Sequence, residues 1–154
     1  MKKDCIFCKI VQDQIPCVKI WENKKFLAFL DICPNTQGMT LVVPKKHYSA
    51  DVFKMPKSEY GEFLQAARKV VNILKKGLKV EKVGLVIEGT EVDHAHIKLY
   101  PFHGLGKKFK PAVVNKKRVY FDKYPGYLTT VGGPMRTLEE LKKVARKIKK
   151  KQNK

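Results

Sequence analysis

The stretch that decides the fold is His94-Ala95-His96-Ile97-Lys98-Leu99-Tyr100-Pro101, because polar and apolar side chains alternate along it. Alternate side chains of an extended strand share a face, so this pattern predicts a strand over residues 94–100 whose alanine, isoleucine and leucine point into the core. The two histidines and Lys98 then share the opposite face. Imidazole can bind a metal, transfer a proton or attack phosphorus, and an ammonium beside it can hold phosphate oxygens. This segment is therefore the candidate working site.

The residues upstream have the pattern of a small antiparallel sheet. Residues 18–22 and 26–30 predict the two strands of a hairpin around the turn-like residues 23–25. Residues 39–43 predict a third strand that Pro44 stops, and residues 83–87 predict a fourth. Together with residues 94–100, these segments predict a five-stranded sheet.

One long helix is predicted between the third and fourth strands. Ser58 is its expected N-cap, the helix runs to about residue 76, and Gly77 stands at its end. One face of this helix carries the apolar residues at helical spacing, namely Phe63, Ala66, Ala67, Val70, Val71 and Leu74. Because that face must be buried, we expect the helix to pack on the sheet, which makes residues 1–104 an α+β domain.

Residues 105–154 predict a basic extension that ends in a helix. They hold 16 Lys/Arg against 3 Asp/Glu, whereas residues 1–104 hold 17 against 11. Residues 104–111 predict a loop before residues 118–121, and residues 124–127 and 132–134 carry turn signals. A capping box at 137–140 opens a helix to about residue 150, with an apolar face that is expected to dock on the body. That face consists of Leu138, Leu141, Val144, Ala145 and Ile148.

Composition sets the broad class of protein. The chain has 154 residues, is 44% hydrophobic and carries a formal net charge of +19. Such a field attracts phosphates, nucleotides or nucleic acid, although a solvated lysine-rich surface explains it equally well. No apolar run is long enough to span a membrane and no secretory signal is visible, so we expect a cytoplasmic protein with no membrane partner. In that compartment Cys5 and Cys8, in a Cys-x-x-Cys pair, indicate a metal or redox element rather than a disulfide.

Four segments, in this order, resemble the histidine-triad (HIT) superfamily over residues 4–103. They are Cys5-Ile-Phe-Cys8-Lys-Ile, Phe29-Leu-Asp31-Ile32, Gly38-Met-Thr-Leu-Val-Val-Pro44-Lys-Lys-His47 and His94-Ala-His96-Ile-Lys98-Leu-Tyr-Pro101. The resemblance implies a HIT-like fold of five antiparallel strands with helices, commonly assembled as a homodimer. It thereby divides the chain into a HIT-like domain at 1–104 and the basic extension at 105–154, packed on the same domain.

The resemblance also implies a reaction and its residues. His96 would attack the α-phosphate of a nucleoside phosphate conjugate, and water or another acceptor would resolve the nucleotidyl-histidine, so the chain would be a nucleotide hydrolase or nucleotidyltransferase. Lys98 would supply a donor to the phosphate oxygens. Asp31 would bind the ribose hydroxyls, and Phe29 and Ile32 would line the base pocket, although both are as readily explained by core packing.

A structural zinc ion is the cofactor that the resemblance implies. Its ligands would be Cys5, Cys8, His47 and His94, and binding by His94 would hold the strand and direct its neighbour His96. The alternative is a reduced cysteine pair in a metal-free protein. Cys17 and Cys33 fit no ligand pattern.

The sequence departs from the superfamily at three places. Lys98 replaces the third histidine of the motif, Met39 replaces another family histidine, and the loop at 88–93 carries three acids. Those acids, Glu88, Glu91 and Asp93, would steer a cationic acceptor, orient His96 or Lys98, or form a solvated turn. Two other functions therefore stay open: a catalytically weakened nucleotide-binding module, and a protein that processes or binds nucleic-acid ends through the basic extension.

Overall fold

A computed structural model of the chain describes residue 2, residues 4–108 and residues 135–150. Three α-helices and five strands follow in the order α1 (Ile6–Val11), β1 (Lys19–Glu22), β2 (Phe26–Leu30), β3 (Thr40–Pro44), α2 (Lys57–Leu78), β4 (Lys82–Val86), β5 (Ile97–Phe102) and α3 (Leu138–Lys149), with a short 3-10 helix at Val52–Lys54. The turn signals predicted at 124–127 and 132–134 lie outside the described residues.

The five strands form one antiparallel sheet, as predicted. Its order is β1-β2-β3-β5-β4, and every neighbouring pair runs antiparallel. The chain crosses from β3 to the far edge of the sheet through α2 and returns to the interior in β5. The α+β fold class with five antiparallel strands and packed helices is therefore confirmed.

Both faces of the central strands are buried, which explains why β2 is apolar throughout and β3 is apolar after its first residue, Thr40. On one face α2 packs against alternate residues of the sheet, among them Ala28, Val42, Ile97 and Leu99. On the other face α1 packs against the intervening residues, Leu27, Phe29, Leu41 and Val43. This second face carries the candidate site.

The segment of the two histidines precedes the last strand, so the predicted strand bounds were wrong. β5 begins at Ile97 and continues through Pro101 to Phe102. Just before it, the Ala95 N–H donates to the Tyr48 carbonyl rather than to a neighbouring strand. The predicted alternation still holds, because Ala95 lies in the α2 core while the Phe7 ring on the other face contacts both histidines.

The ends of α2 differ from the prediction. The helix begins at Lys57 with Pro56 at the N-cap position, and no side chain caps it, so Ser58 is not the N-cap. The helix ends at Leu78, and Lys79 adopts the left-handed conformation at its C-cap, where Gly77 was expected to end the helix.

The capping box of α3 forms as predicted, between Thr137 and Glu140. Leu141, Ala145 and Ile148 are buried in the core that α2 shares with the sheet. Before the helix, the Arg136 N–H donates to the Ile32 carbonyl and links this segment to the loop after β2. No helix in the described part of the chain combines the length and the apolarity needed to cross a bilayer.

Candidate active site and metal centre

A cavity of about 290 Å³ lies on the face of the sheet that carries α1. Its volume is close to the lower end of the range for small-molecule sites, roughly 300–1,000 Å³. Five residues predicted to act on or bind a nucleotide line it together: Phe29, Asp31, Ile32, His96 and Lys98. The structure therefore brings the end of β2, the loop that follows it and the segment 96–98 to one place.

His96 is buried where it lines the cavity, and its tautomer follows from one hydrogen bond. Its Nδ1 lies 2.8 Å from the His94 carbonyl oxygen, which can only accept, so Nδ1 carries the proton and Nε2 keeps a lone pair. Burial lowers the pKa of His96, so the imidazole is neutral at pH 7. The Phe7 ring packs edge-on at a centroid distance of 5.3 Å and limits rotation of the imidazole. A neutral imidazole held in this way is equipped for nucleophilic attack.

Lys98 is also buried, and its ammonium is shared by two carboxylates. Nζ donates to Glu88 Oε1 at 2.5 Å and to Glu91 Oε2 at 3.1 Å. The Lys98 side chain is 5% exposed and that of Glu88 10%, whereas that of Glu91 is 65% exposed at the rim. Burial acts to lower the pKa of Lys98, but the two carboxylates outweigh it and raise the pKa. The lysine is therefore a fixed positive charge and not a proton donor that cycles at neutral pH.

Asp31 directly follows β2 and lines the same cavity. The Cys33 N–H donates to its Oδ1 at 2.8 Å, and the Asp31 N–H donates to the Met39 carbonyl. Burial raises the pKa of Asp31, while the Cys33 N–H and the charge of Lys98 act in the other direction. The contact with Cys33 therefore holds Oδ1 of the carboxylate in place at the cavity wall.

The two apolar residues predicted for the base pocket differ in exposure. Phe29 is buried and packs edge-on against Phe7 at a centroid distance of 5.9 Å. Ile32 is 48% exposed at the mouth of the cavity. Phe29 therefore serves core packing as well as the cavity wall, whereas Ile32 has surface available for a ligand.

Cys5, Cys8, His47 and His94 form a second cluster beside the cavity, with one ligand atom from each residue lying within 4.8 Å of all the others. The sulfur–nitrogen distances are 3.3 Å for Cys5–His94, 3.5 Å for Cys8–His47 and 3.6 Å for Cys8–His94, and the two Nδ1 atoms lie 3.3 Å apart. A tetrahedral zinc with bonds of about 2.3 Å to sulfur and about 2.0–2.1 Å to nitrogen needs edges of about 3.5 Å and about 3.3 Å. The residues therefore fit a tetrahedral metal.

The orientation of His94 supports the same fit. Its Nε2 lies 2.9 Å from the Pro44 carbonyl oxygen and must donate to it, which leaves the lone pair on Nδ1 directed into the cluster. Burial lowers the pKa of His94 to about 4, which keeps the ring neutral. A backbone carbonyl that fixes the tautomer of a ligating histidine is a common feature of metal sites.

Some residues of the site were not identified from the sequence. Phe7, between the two cysteines of α1, contacts the rings of Phe29, His94 and His96, and only its place inside the Cys-x-x-Cys segment pointed to it. Cys17 and Cys33, for which no ligand pattern was found, line the cavity, as does Met39. The three acids of residues 88–93 have different partners. Glu88 and Glu91 bind Lys98, whereas Asp93 accepts hydrogen bonds from Lys2 Nζ and the Ala50 N–H.

Comparisons with known proteins agree with this geometry. The sequence model of the HIT domain matches residues 12–107. An uncharacterized HIT-like protein of Methanocaldococcus jannaschii is 40% identical over 111 residues, which cover 69% of this chain and 85% of that protein. An adenosine 5'-monophosphoramidase of Saccharomyces cerevisiae is 38% identical over 102 residues, covering 63% of this chain and 61% of that protein.

A solved structure is similar over almost the whole chain. The crystal structure of a Hit-like protein from Bartonella henselae superposes with a TM-score of 0.67, covers 97% of each chain and is 24% identical. At this identity the likeness concerns the fold, and the matched length includes the region of α3.

Proposed function

Because this chain belongs to the family of HIT domain proteins, we propose that it is a nucleotide hydrolase or nucleotidyltransferase that acts on the α-phosphate of a nucleoside phosphate conjugate through His96. The single observation that carries the proposal is the hydrogen bond from His96 Nδ1 to the His94 carbonyl, because it leaves Nε2 as a nucleophile beside the cavity. The yeast relative's name, an adenosine 5'-monophosphoramidase, supports hydrolysis of this class of bond.

The proposed reaction has two displacements at phosphorus. In the first, the Nε2 lone pair forms a bond to the α-phosphorus while the bond from phosphorus to the leaving group breaks, and the leaving group takes that electron pair and a proton from solvent. In the second, water attacks phosphorus, the bond to Nε2 breaks and returns its electron pair to the ring, and the attacking water gives up a proton to solvent. The products are a nucleoside monophosphate and the protonated leaving group, and another acceptor in place of water makes the reaction a transfer.

The remaining cavity residues would bind the substrate. Asp31 would accept hydrogen bonds from the ribose hydroxyls, and Phe29 and Ile32 would contact the base. Lys98 would hold a phosphate oxygen with a charge-assisted hydrogen bond, sharing its ammonium with Glu88 and Glu91.

We further propose that the four-residue cluster holds a structural zinc ion. When bound, the ion would supply a cross-link between α1, the segment after β3 and the segment before β5. The four residues would supply all of its ligands, and His94 would be held with its carbonyl toward His96.

The assembly and location of the chain also stay predictions. The family resemblance implies a homodimer, and within the described residues β4 lies at an edge of the sheet with Leu85 exposed, as a strand available for pairing. A nucleotide conjugate in the cytoplasm is the expected partner.

A trapping experiment tests the function. The protein is incubated with an adenosine phosphoramidate labelled at the α-phosphorus and quenched in alkali, since a phosphorus–nitrogen bond to histidine is acid-labile. Wild type is expected to carry the label and release labelled monophosphate, and His96→Ala is expected to do neither. His103→Ala is the matched control, because His103 is exposed and its Nε2 donates to the Gln37 carbonyl outside the cavity. Binding of the conjugate by wild type without label or product would indicate a binding module instead.

A further inference from the structure

The charge around the cavity is opposite to that of the whole chain. The chain has a formal net charge of +19, yet among the described residues that line the cavity the charged side chains are Asp31, Glu91 and one cation, Lys98. The Glu88 carboxylate, whose side chain is 10% exposed, contacts that cation at 2.5 Å. The long-range field therefore attracts anions, while the described charged groups at the cavity include more carboxylates than cations.

Glu91 is the group that gives the rim its negative charge. Among the described residues, the single positive charge of Lys98 contacts two carboxylates, Glu88 at 2.5 Å and Glu91 at 3.1 Å, so these three groups together carry one excess negative charge. Its side chain is 65% exposed, and it shares the cavity lining with His96. A carboxylate at this position faces whatever a substrate projects outward from the nucleophile.

From this arrangement we propose that Glu91 is a specificity-determining residue that selects substrates by the charge of the leaving group. The inference rests on the proposed function: with the nucleoside held by Asp31 and Ile32 and phosphorus at His96, the leaving group would project toward the rim. Glu91 would then favour amines that carry a further positive charge and would disfavour leaving groups that are carboxylates or polyphosphates. The preferred substrate class is a nucleoside monophosphate joined to a cationic amine.

The size of the effect follows from Coulomb's law. For unit charges about 6 Å apart at an effective dielectric constant of about 40, one interaction changes a rate or binding constant by about tenfold. A cationic and an anionic leaving group respond in opposite directions. Their ratio is therefore expected to change by about a hundredfold when the charge of Glu91 is removed.

Three nearly isosteric substrates provide the test: the adenosine 5'-phosphoramidates of 1,2-diaminoethane, propylamine and β-alanine, whose leaving groups are cationic, neutral and anionic. The quantity measured is the ratio of kcat/KM for the cationic over the anionic substrate, in wild type and in Glu91→Gln. We expect Glu91→Gln to lower this ratio by about a hundredfold and Glu91→Asp, which keeps the charge, to retain most of it. The matched control is Glu139→Gln on α3, whose side chain is 69% exposed and pairs with Lys142 at 2.9 Å, away from the cavity.

A binding measurement separates this inference from the proposed function. The Kd of the same three compounds is measured by calorimetry in His96→Ala and in His96→Ala combined with Glu91→Gln, where no turnover interferes. If wild type hydrolyses none of the compounds but the Kd ratio still shifts fivefold or more, the proposed reaction fails and the role of Glu91 stands. The inference is overturned if removal of the Glu91 charge shifts both the kcat/KM ratio and the Kd ratio by less than fivefold. It is also overturned if none of the three compounds binds.

Discussion

Two glycines of α2 provide a stringent test of how the C-terminal helix packs. A Cβ atom on Gly77 would lie 2.7 Å from the carbonyl carbon of Ile148 and closer still to its Cα and carbonyl oxygen. These are backbone atoms of α3, so no side-chain rotation can make room. A Cβ on Gly61, near the start of the same helix, would have no atom within 4 Å. Gly77→Ala and Gly61→Ala are therefore the same chemical change in two different environments.

The two substitutions are expected to change the stability of the fold in opposite directions. Alanine is favoured over glycine inside a helix by up to about 1 kcal/mol, so Gly61→Ala should stabilise the fold by about 0.5–1 kcal/mol. At Gly77 the same gain is opposed by overpacking, which costs about 1–3 kcal/mol where neighbours must move. If α3 detached completely, Leu141 and Ile148 would lose their burial, at about 1.5–3 kcal/mol each. We expect Gly77→Ala to be about 1–2 kcal/mol less stable than wild type.

Equilibrium urea unfolding of both variants at saturating zinc measures the difference. The slope of the unfolding free energy against urea should stay unchanged for Gly61→Ala, and Gly77→Ala should also be cut faster by trypsin near the basic α3. Equal stability of the two variants would refute the close approach of Ile148 to α2, and with it the packing of α3 described above.

Two further predictions concern the site. Elemental analysis should find about one zinc per chain. Cys8→Ser should lose both the metal and thermal stability, while the control Cys33→Ser should keep both. A metal-free wild type that zinc does not stabilise would contradict the ligand assignment. Lys98→Ala should weaken binding of adenosine monophosphate by about 1–3 kcal/mol, the worth of a hydrogen bond to a charged group, whereas Lys143→Ala on the exposed side of α3 should not. Unchanged affinity of Lys98→Ala, measured by calorimetry, would show that its ammonium serves Glu88 and Glu91 alone.

The parts of the molecule that follow local rules were predictable from the sequence. Alternation along residues 94–100 separated the core residues from His94, His96 and Lys98, because the period of an extended chain is two whatever surrounds it. The capping box of α3 was predictable for the same reason, since Thr137 and Glu140 satisfy each other within one turn.

The parts of the molecule that depend on contacts between distant residues were not predictable from the sequence. Hydrogen bonding with Tyr48 places His94 and Ala95 before β5, and nothing local to the segment indicates this contact. Gly77 was interpreted as a helix end because glycine often has that role, but its neighbour is Ile148, far along the chain. The acids of residues 88–93 had three open interpretations, and only the fold shows that two of them bind Lys98.

The double use of His94 has a consequence for how the protein can be inhibited. Its ring belongs to the four-residue cluster, while its peptide carbonyl accepts the hydrogen bond from Nδ1 that defines the reactive tautomer of His96. A chelator or a thiol-oxidising agent would therefore inhibit without entering the substrate cavity, because it would change the orientation of the His94 peptide group that bonds His96. Such inhibition would be noncompetitive with nucleotide, and it would be reversed by metal after a chelator but by a thiol reductant followed by metal after oxidation. A substitution at His94 keeps the peptide carbonyl of that residue. An inactive His94 variant would therefore still contain the reacting group, His96, but in a misaligned position.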